Sequence, residues 1–82
     1  MKTNRDYVVY TFERETPEGT TTFKVIYDGF FKTNEDNFLI RDKIISDKDF
    51  SGTIYSGRIK TRDIFFNLNN AINFYNKLWK QQ

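Results

Sequence analysis

The sequence predicts an α+β fold: a two-layer domain with an antiparallel sheet of four to five strands and one C-terminal helix packed on it. Three observations carry this. An alternating hairpin pattern opens the chain, further short β-type runs fill its middle, and a 3.6-residue apolar stripe closes it. The length, 82 residues, is that of one domain spanning 1–82.

Thr16-Pro17-Glu18-Gly19 is the first signal. Pro presets φ at the second position of a type I turn, and Gly suits the fourth. Closing the turn with Thr16 against Gly19 sets Val8 opposite Tyr27, Tyr10 opposite Val25 and Phe12 opposite Phe23. Opposed residues share a face. One face of the 6–28 hairpin therefore carries Val8, Tyr10, Phe12, Phe23, Val25 and Tyr27, all apolar or aromatic, and the other carries Glu13/Thr22 and Thr11/Lys24, with the Val9/Ile26 pair as an exception. A slip of one residue would mix the two sets, so the pattern selects its own register.

Asp28-Gly29 marks a bulge or bend before Phe30-Phe31, and residues 33–37 read as a loop. Phe38–Arg41 predicts a third strand with Ile44-Ile45 as its continuation. Residues 46–52 read as a loop, and residues 53–60 as a fourth strand interrupted at Ser56-Gly57. Asp63–Phe66 reads as a fifth. Asn67 is a preferred helix N-cap, and Leu68, Ala71, Ile72, Tyr75 and Trp79 follow at helical spacing, with Phe74 and Leu78 widening the stripe. A helix start at Asp63 also fits the spacing. Lys77 and Lys80 fall in the last turn, where cations complement the helix dipole.

Composition narrows the function. His and Cys are both absent, while Phe, Tyr and Trp number 9, 5 and 1. The side chains that most often serve as general base, nucleophile or transition-metal ligand are missing. A serine nucleophile has no histidine to activate it, and neither the P-loop nor the dinucleotide glycine pattern occurs. The carboxylate pairs Glu13/Glu15 and Asp47/Asp49 read as solvated polar positions. The expectation is a protein that is not an enzyme, with no catalytic residues, cofactor or metal. Asp47–Ile54 matches the start of a calcium loop, but Arg58 stands where that loop needs its bidentate Glu.

Charge is uneven. Net charge is +2, yet residues 51–82 hold Arg58, Lys60, Arg62, Lys77 and Lys80 against Asp63 alone. In an unbroken strand Arg58, Lys60 and Arg62 would project from one face, roughly 6.5–7 Å apart, near the phosphate spacing of a nucleic-acid strand. Tyr55 is close in sequence and would supply a stacking ring. The ordinary alternative is a solvated strand face whose cations guard an edge. The Phe30-Phe31 and Phe65-Phe66 pairs cannot each point one way in an extended strand, so one ring of each faces away from the core. Phe31 is the candidate anchor of the first pair, unless the 30–50 loops cover it.

These features predict a small non-catalytic protein-binding or regulatory module. Eight Asn with many Lys and Ile suggest an AT-rich genome, such as a phage or mobile element carries. The expected partner is then a host protein or defence system that the module inhibits. Nucleic-acid binding through the basic strand is the alternative, and self-association through an uncovered sheet edge is a third reading. The candidate binding residues are Arg58, Lys60, Arg62, Tyr55, Lys77, Lys80 and Phe31. Residues 1–6 are polar with no apolar stretch after them, and no run spans a membrane, so a soluble cytoplasmic protein with no membrane partner is expected.

Overall fold

The computed structural model describes residues 7–29, 37–40, 43–47 and 55–80. The order is β1 (Tyr7–Thr16), β2 (Gly19–Asp28), β3 (Asn37–Ile40), β4 (Ile44–Ser46), β5 (Tyr55–Phe65) and α1 (Leu68–Lys80). The five strands form one antiparallel sheet in the order β3-β5-β1-β2-β4. The predicted α+β class is the observed one.

The hairpin has the predicted register throughout, from Tyr7 opposite Asp28 to Thr16 opposite Gly19. Its turn is fastened by the Thr16 hydroxyl, which donates to the Gly19 carbonyl at 2.6 Å. Gly19 takes a φ of 125°, which only glycine adopts without strain.

The middle of the chain differs from expectation in two ways. The 38–45 run is two strands, with β3 and β4 at opposite edges of the sheet. Only residues 41–43 join them. The step from Ile40 to Ile44 can reach about 14 Å at most, whereas the edges of a flat five-stranded sheet lie roughly 19 Å apart. The sheet must curl, and it is nearly barrel-shaped. Lys43 sits at this corner with a φ of 59°, and its carbonyl accepts from the Asp28 amide at 3.1 Å. The second difference is that the predicted fourth and fifth strands are one. β5 runs through Ser56-Gly57 without a break.

Curling changes which face does what. The apolar hairpin face closes on itself into one core: Val8, Tyr10, Phe12, Val25, Ile40 and Tyr55 are all 2% exposed or less. Phe12 stacks on Phe23 at 5.8 Å between ring centroids. The helix packs on the opposite face, where Ala71 and Tyr75 bury Val9 and Ile26 completely. The pair that looked like an exception to a polar face is the helix's landing site. Burying those two side chains contributes about 1.5–3 kcal/mol each. Helix α1 begins as its cap predicts: Asn67 Oδ1 accepts from the Asn69 amide at 2.7 Å and the Asn70 amide at 3.3 Å. The start at Asp63 is excluded because Asp63–Phe65 stay in β5, paired with β1.

Gly57 lies tightly against β1. A Cβ there would overlap the Glu13 carbonyl oxygen and come within 2.8 Å of a Phe12 ring carbon. Backbone cannot give way cheaply, so Gly57→Ala should cost about 1–3 kcal/mol in urea denaturation. Asn67→Ala should cost about 1 kcal/mol by the same measurement, through loss of the helix cap.

Candidate functional site

Strand β5 carries the basic residues, and its pairing with β1 decides where they point. Thr61 stands opposite Thr11, and Ile59 stands opposite Phe12. Lys60 is the extra residue of a β-bulge. Beyond the bulge the phase is reversed: Arg58 faces Glu13 and Arg62 faces Tyr10. Tyr10 and Glu13 are three residues apart on a regular strand, so their side chains leave opposite faces. The three cations therefore do not share one face, and the expected ladder is split by the bulge.

Each cation has its own surroundings. Lys60 Nζ lies 3.2 Å from Glu13 Oε2, an ion pair with both side chains more than a third exposed. Such a pair contributes a few tenths of a kcal/mol at most. Arg58 lines a shallow cleft of about 260 Å³ with Glu13, Arg14, Glu15 and Gly57. This cleft opens where β5 leaves β1 to join β3: the β1 pairing ends at Glu13, while β3 pairs with residues 55–58. Arg62 is exposed on the β5 surface.

Tyr55 is not a surface ring. It is 2% exposed and packs against Phe12 at 6.3 Å and Phe23 at 5.4 Å between centroids. The reason is the curl, which carries the start of β5 over the hairpin's apolar face. Arg14 covers this cluster, with its guanidinium carbon 5.7 Å from the Phe23 centroid and 5.9 Å from that of Tyr55. Tyr55 is thus core, and the stacking role expected of it does not survive.

Lys77 and Lys80 are exposed in the last turn of α1. That turn lies over β2: Lys24 of β2 places its Nζ 4.8 Å from the Trp79 ring centroid. Strand β1 separates β2 from β5, so the helix end is not brought alongside Arg58, Lys60 and Arg62. Phe31 lies outside the described residues, as do residues 48–54 of the calcium-like loop. Among the described residues no cluster of three or more carboxylates could hold a metal ion.

The aromatic pair at the end of β5 divides as expected. Phe65 turns to the helix, with its ring 5.4 Å from Phe74, while Phe66 is 71% exposed. Two positions back, Ile64 is 46% exposed. Ile64 stands opposite Val8, and Arg62 opposite Tyr10, so both leave the same face. Arg62, Ile64 and Phe66 thus occupy alternate positions at one end of the strand. Sequence reasoning named Arg62 and the Phe65-Phe66 choice but missed Ile64, which reads as a buried strand residue. It also missed Lys24, which is 7% exposed. Lys24 has the same parity as Ile26, and that parity is the signal that places it under the helix.

Comparison with known proteins finds no matching family model, no matching curated protein and no matching solved structure. Among the described residues no helix is long and apolar enough to cross a membrane.

Lys24 and Lys60 should respond differently to truncation. Lys24→Ala removes a buried stem and a cation–π contact, and should cost about 1–2 kcal/mol with a change in Trp79 fluorescence. Lys60→Ala should change stability by less than about 0.5 kcal/mol. Urea titrations followed by Trp79 emission check both.

Proposed function

We propose that this chain is a small non-catalytic module that binds a partner protein through Arg62, Ile64 and Phe66. The observation that carries the reading is the 71% exposure of Phe66 beside the 46% exposure of Ile64. A protein this small uses its apolar side chains for its cores, and a large ring left in water at a strand end is a ready anchor. Burying a side chain such as Phe66 against a partner contributes about 1.5–3 kcal/mol. Arg62 alongside supplies a residue type enriched at interface hot spots. The surplus of cations over residues 51–82 favours a partner with an acidic surface and speeds encounter with it. The absence of His and Cys supports binding over chemistry.

The asparagine- and lysine-rich composition supports a setting in a phage or mobile element, with a host protein as the partner inhibited. The nucleic-acid reading has less support. A single-strand groove needs cations and stacking rings on one track. Here Arg58 and Arg62 leave opposite faces, Lys60 pairs with Glu13, and Tyr55 is buried.

The test immobilises the full chain and compares quantitative recovery of proteins from candidate host extracts with that by Phe66→Ala. The variant should keep its thermal stability and reduce recovery of the specific partner about 5- to 30-fold. Equal recovery by both chains would remove Phe66 from the contact. Tight, salt-sensitive binding of a labelled oligonucleotide that falls when Arg58, Lys60 and Arg62 become Ala would replace this reading with the alternative.

A further inference from the structure

Among the described residues the sheet leaves backbone edges unpaired, and they are not equally protected. Among the described residues, β3 pairs with β5 only at residues 55–58, and β4 pairs with β2 only at Ile26 and Tyr27. The outer edge of β5 beyond Arg58 carries the devices that discourage strand addition. Lys60, Arg62 and Asp63 lie along it, and the bulge at Lys60 breaks its regular spacing. The outer edge of β2 toward the turn has none of these. Gly19-Thr20-Thr21-Thr22-Phe23 holds no charge and no proline. Its register with β1 runs unbroken, and Thr20, Thr21 and Thr22 are all exposed.

The direction of the β2 backbone groups can be fixed. Asp28 donates its N–H outward, to Lys43 on the edge side. Backbone groups alternate along a strand, so Thr20 and Thr22 also direct N–H and C=O away from β1. These are strand-forming, β-branched residues, and among the described residues no strand pairs with their outward backbone groups.

We propose that this edge is a self-association site, at which two copies of the chain pair β2 with β2, antiparallel, about a two-fold axis at Thr21. The occupant is a second copy because the segment is complementary to itself. Centred on Thr21, Thr20 of each copy meets Thr22 of the other, and both direct their backbone groups at each other. Thr21 meets its own copy. Glu18 comes opposite Lys24, so no like charges face one another. An isologous contact of this kind closes at two copies and does not propagate. It joins two five-stranded sheets into one and leaves Arg62, Ile64 and Phe66 untouched. It therefore stands or falls separately from the partner contact proposed above.

Sedimentation equilibrium of the full chain, from about 10 μM to about 1 mM, tests it. The mass should rise from monomer toward dimer across this range and stop there. Thr22→Pro removes an outward N–H without touching the ladder to β1, and should weaken the dimer about tenfold or more. Helical circular dichroism and Trp79 emission verify that the variant is folded. Thr21→Lys and Thr21→Glu should each weaken self-association by about two- to fivefold, because like charges then face across the axis. Their equimolar mixture should recover it as a heterodimer. Phe66→Ala should dimerise as the parent does. A parent chain that stays monomeric at 1 mM overturns the proposal. So does a folded Thr22→Pro that dimerises equally well, or a Lys/Glu mixture with no gain over its components.

Discussion

Strand β1 must be satisfied on four sides, and the rest of the structure follows from how that is done. Its backbone is paired with β2 on one side and β5 on the other. Its side chains are buried on both faces, with Val8, Val9, Tyr10 and Phe12 all at 0% exposure. A strand apolar on both faces needs two layers of cover, and the described residues offer one helix. The helix takes Val9 with Ile26, and the sheet itself must supply the cover for Val8, Tyr10 and Phe12. Curling does this, because it brings Ile40 and Tyr55 across the hairpin's apolar face.

The same requirement explains the irregularities of β5. This strand first pairs with β3 and then has to follow β1 closely. Gly57 allows the close crossing, since any side chain there would meet the Glu13 backbone. The bulge at Lys60 adds local twist and bend just past the crossing. Its side effect is to reverse the phase of the strand, so Arg58 and Arg62 part company. The arrangement of surface charge is thus a by-product of closing the first core. The second core has its own seal, the Trp79 ring over the Lys24 ammonium, which lets a cation sit at the margin of an otherwise apolar contact.

How much of this was legible in the sequence depends on whether the deciding interactions were local. The hairpin register was, because the alternation of Val8, Tyr10 and Phe12 against Phe23, Val25 and Tyr27 admits one alignment. The helix start was too, because Asn67 caps through its own side chain. The exposure of one ring in Phe65-Phe66 followed from strand geometry alone. Other features depended on distant partners. Val9 and Ile26 looked like exceptions because nothing within the hairpin says that a helix more than forty residues later will cover them. Tyr55 looked spare because its place is made by the curl. The predicted fourth strand was interrupted at Ser56-Gly57, which looks like a turn, whereas glycine there serves a close backbone approach. Its predicted end at Lys60 is where the bulge falls, and this divided β5 in two. The split of the basic residues rests on a register shift that β1 and β5 settle between them, and periodicity within β5 cannot reveal it.

That β1 lies between neighbours from opposite parts of the chain also sets a timetable. A hairpin of this kind closes within about 1–10 μs once its residues are available. At a synthesis rate of roughly 5–20 residues per second, the interval between making Asp28 and making Phe65 is about two to seven seconds. Throughout that interval the nascent hairpin has neither its second hydrogen-bonding neighbour nor the helix that covers Val9 and Ile26. The newborn chain holds a paired but half-dressed strand, greasy on both sides, for about a million times longer than it needs to form one. For a chain of this architecture, the hazardous period belongs to the ribosome rather than to the finished fold.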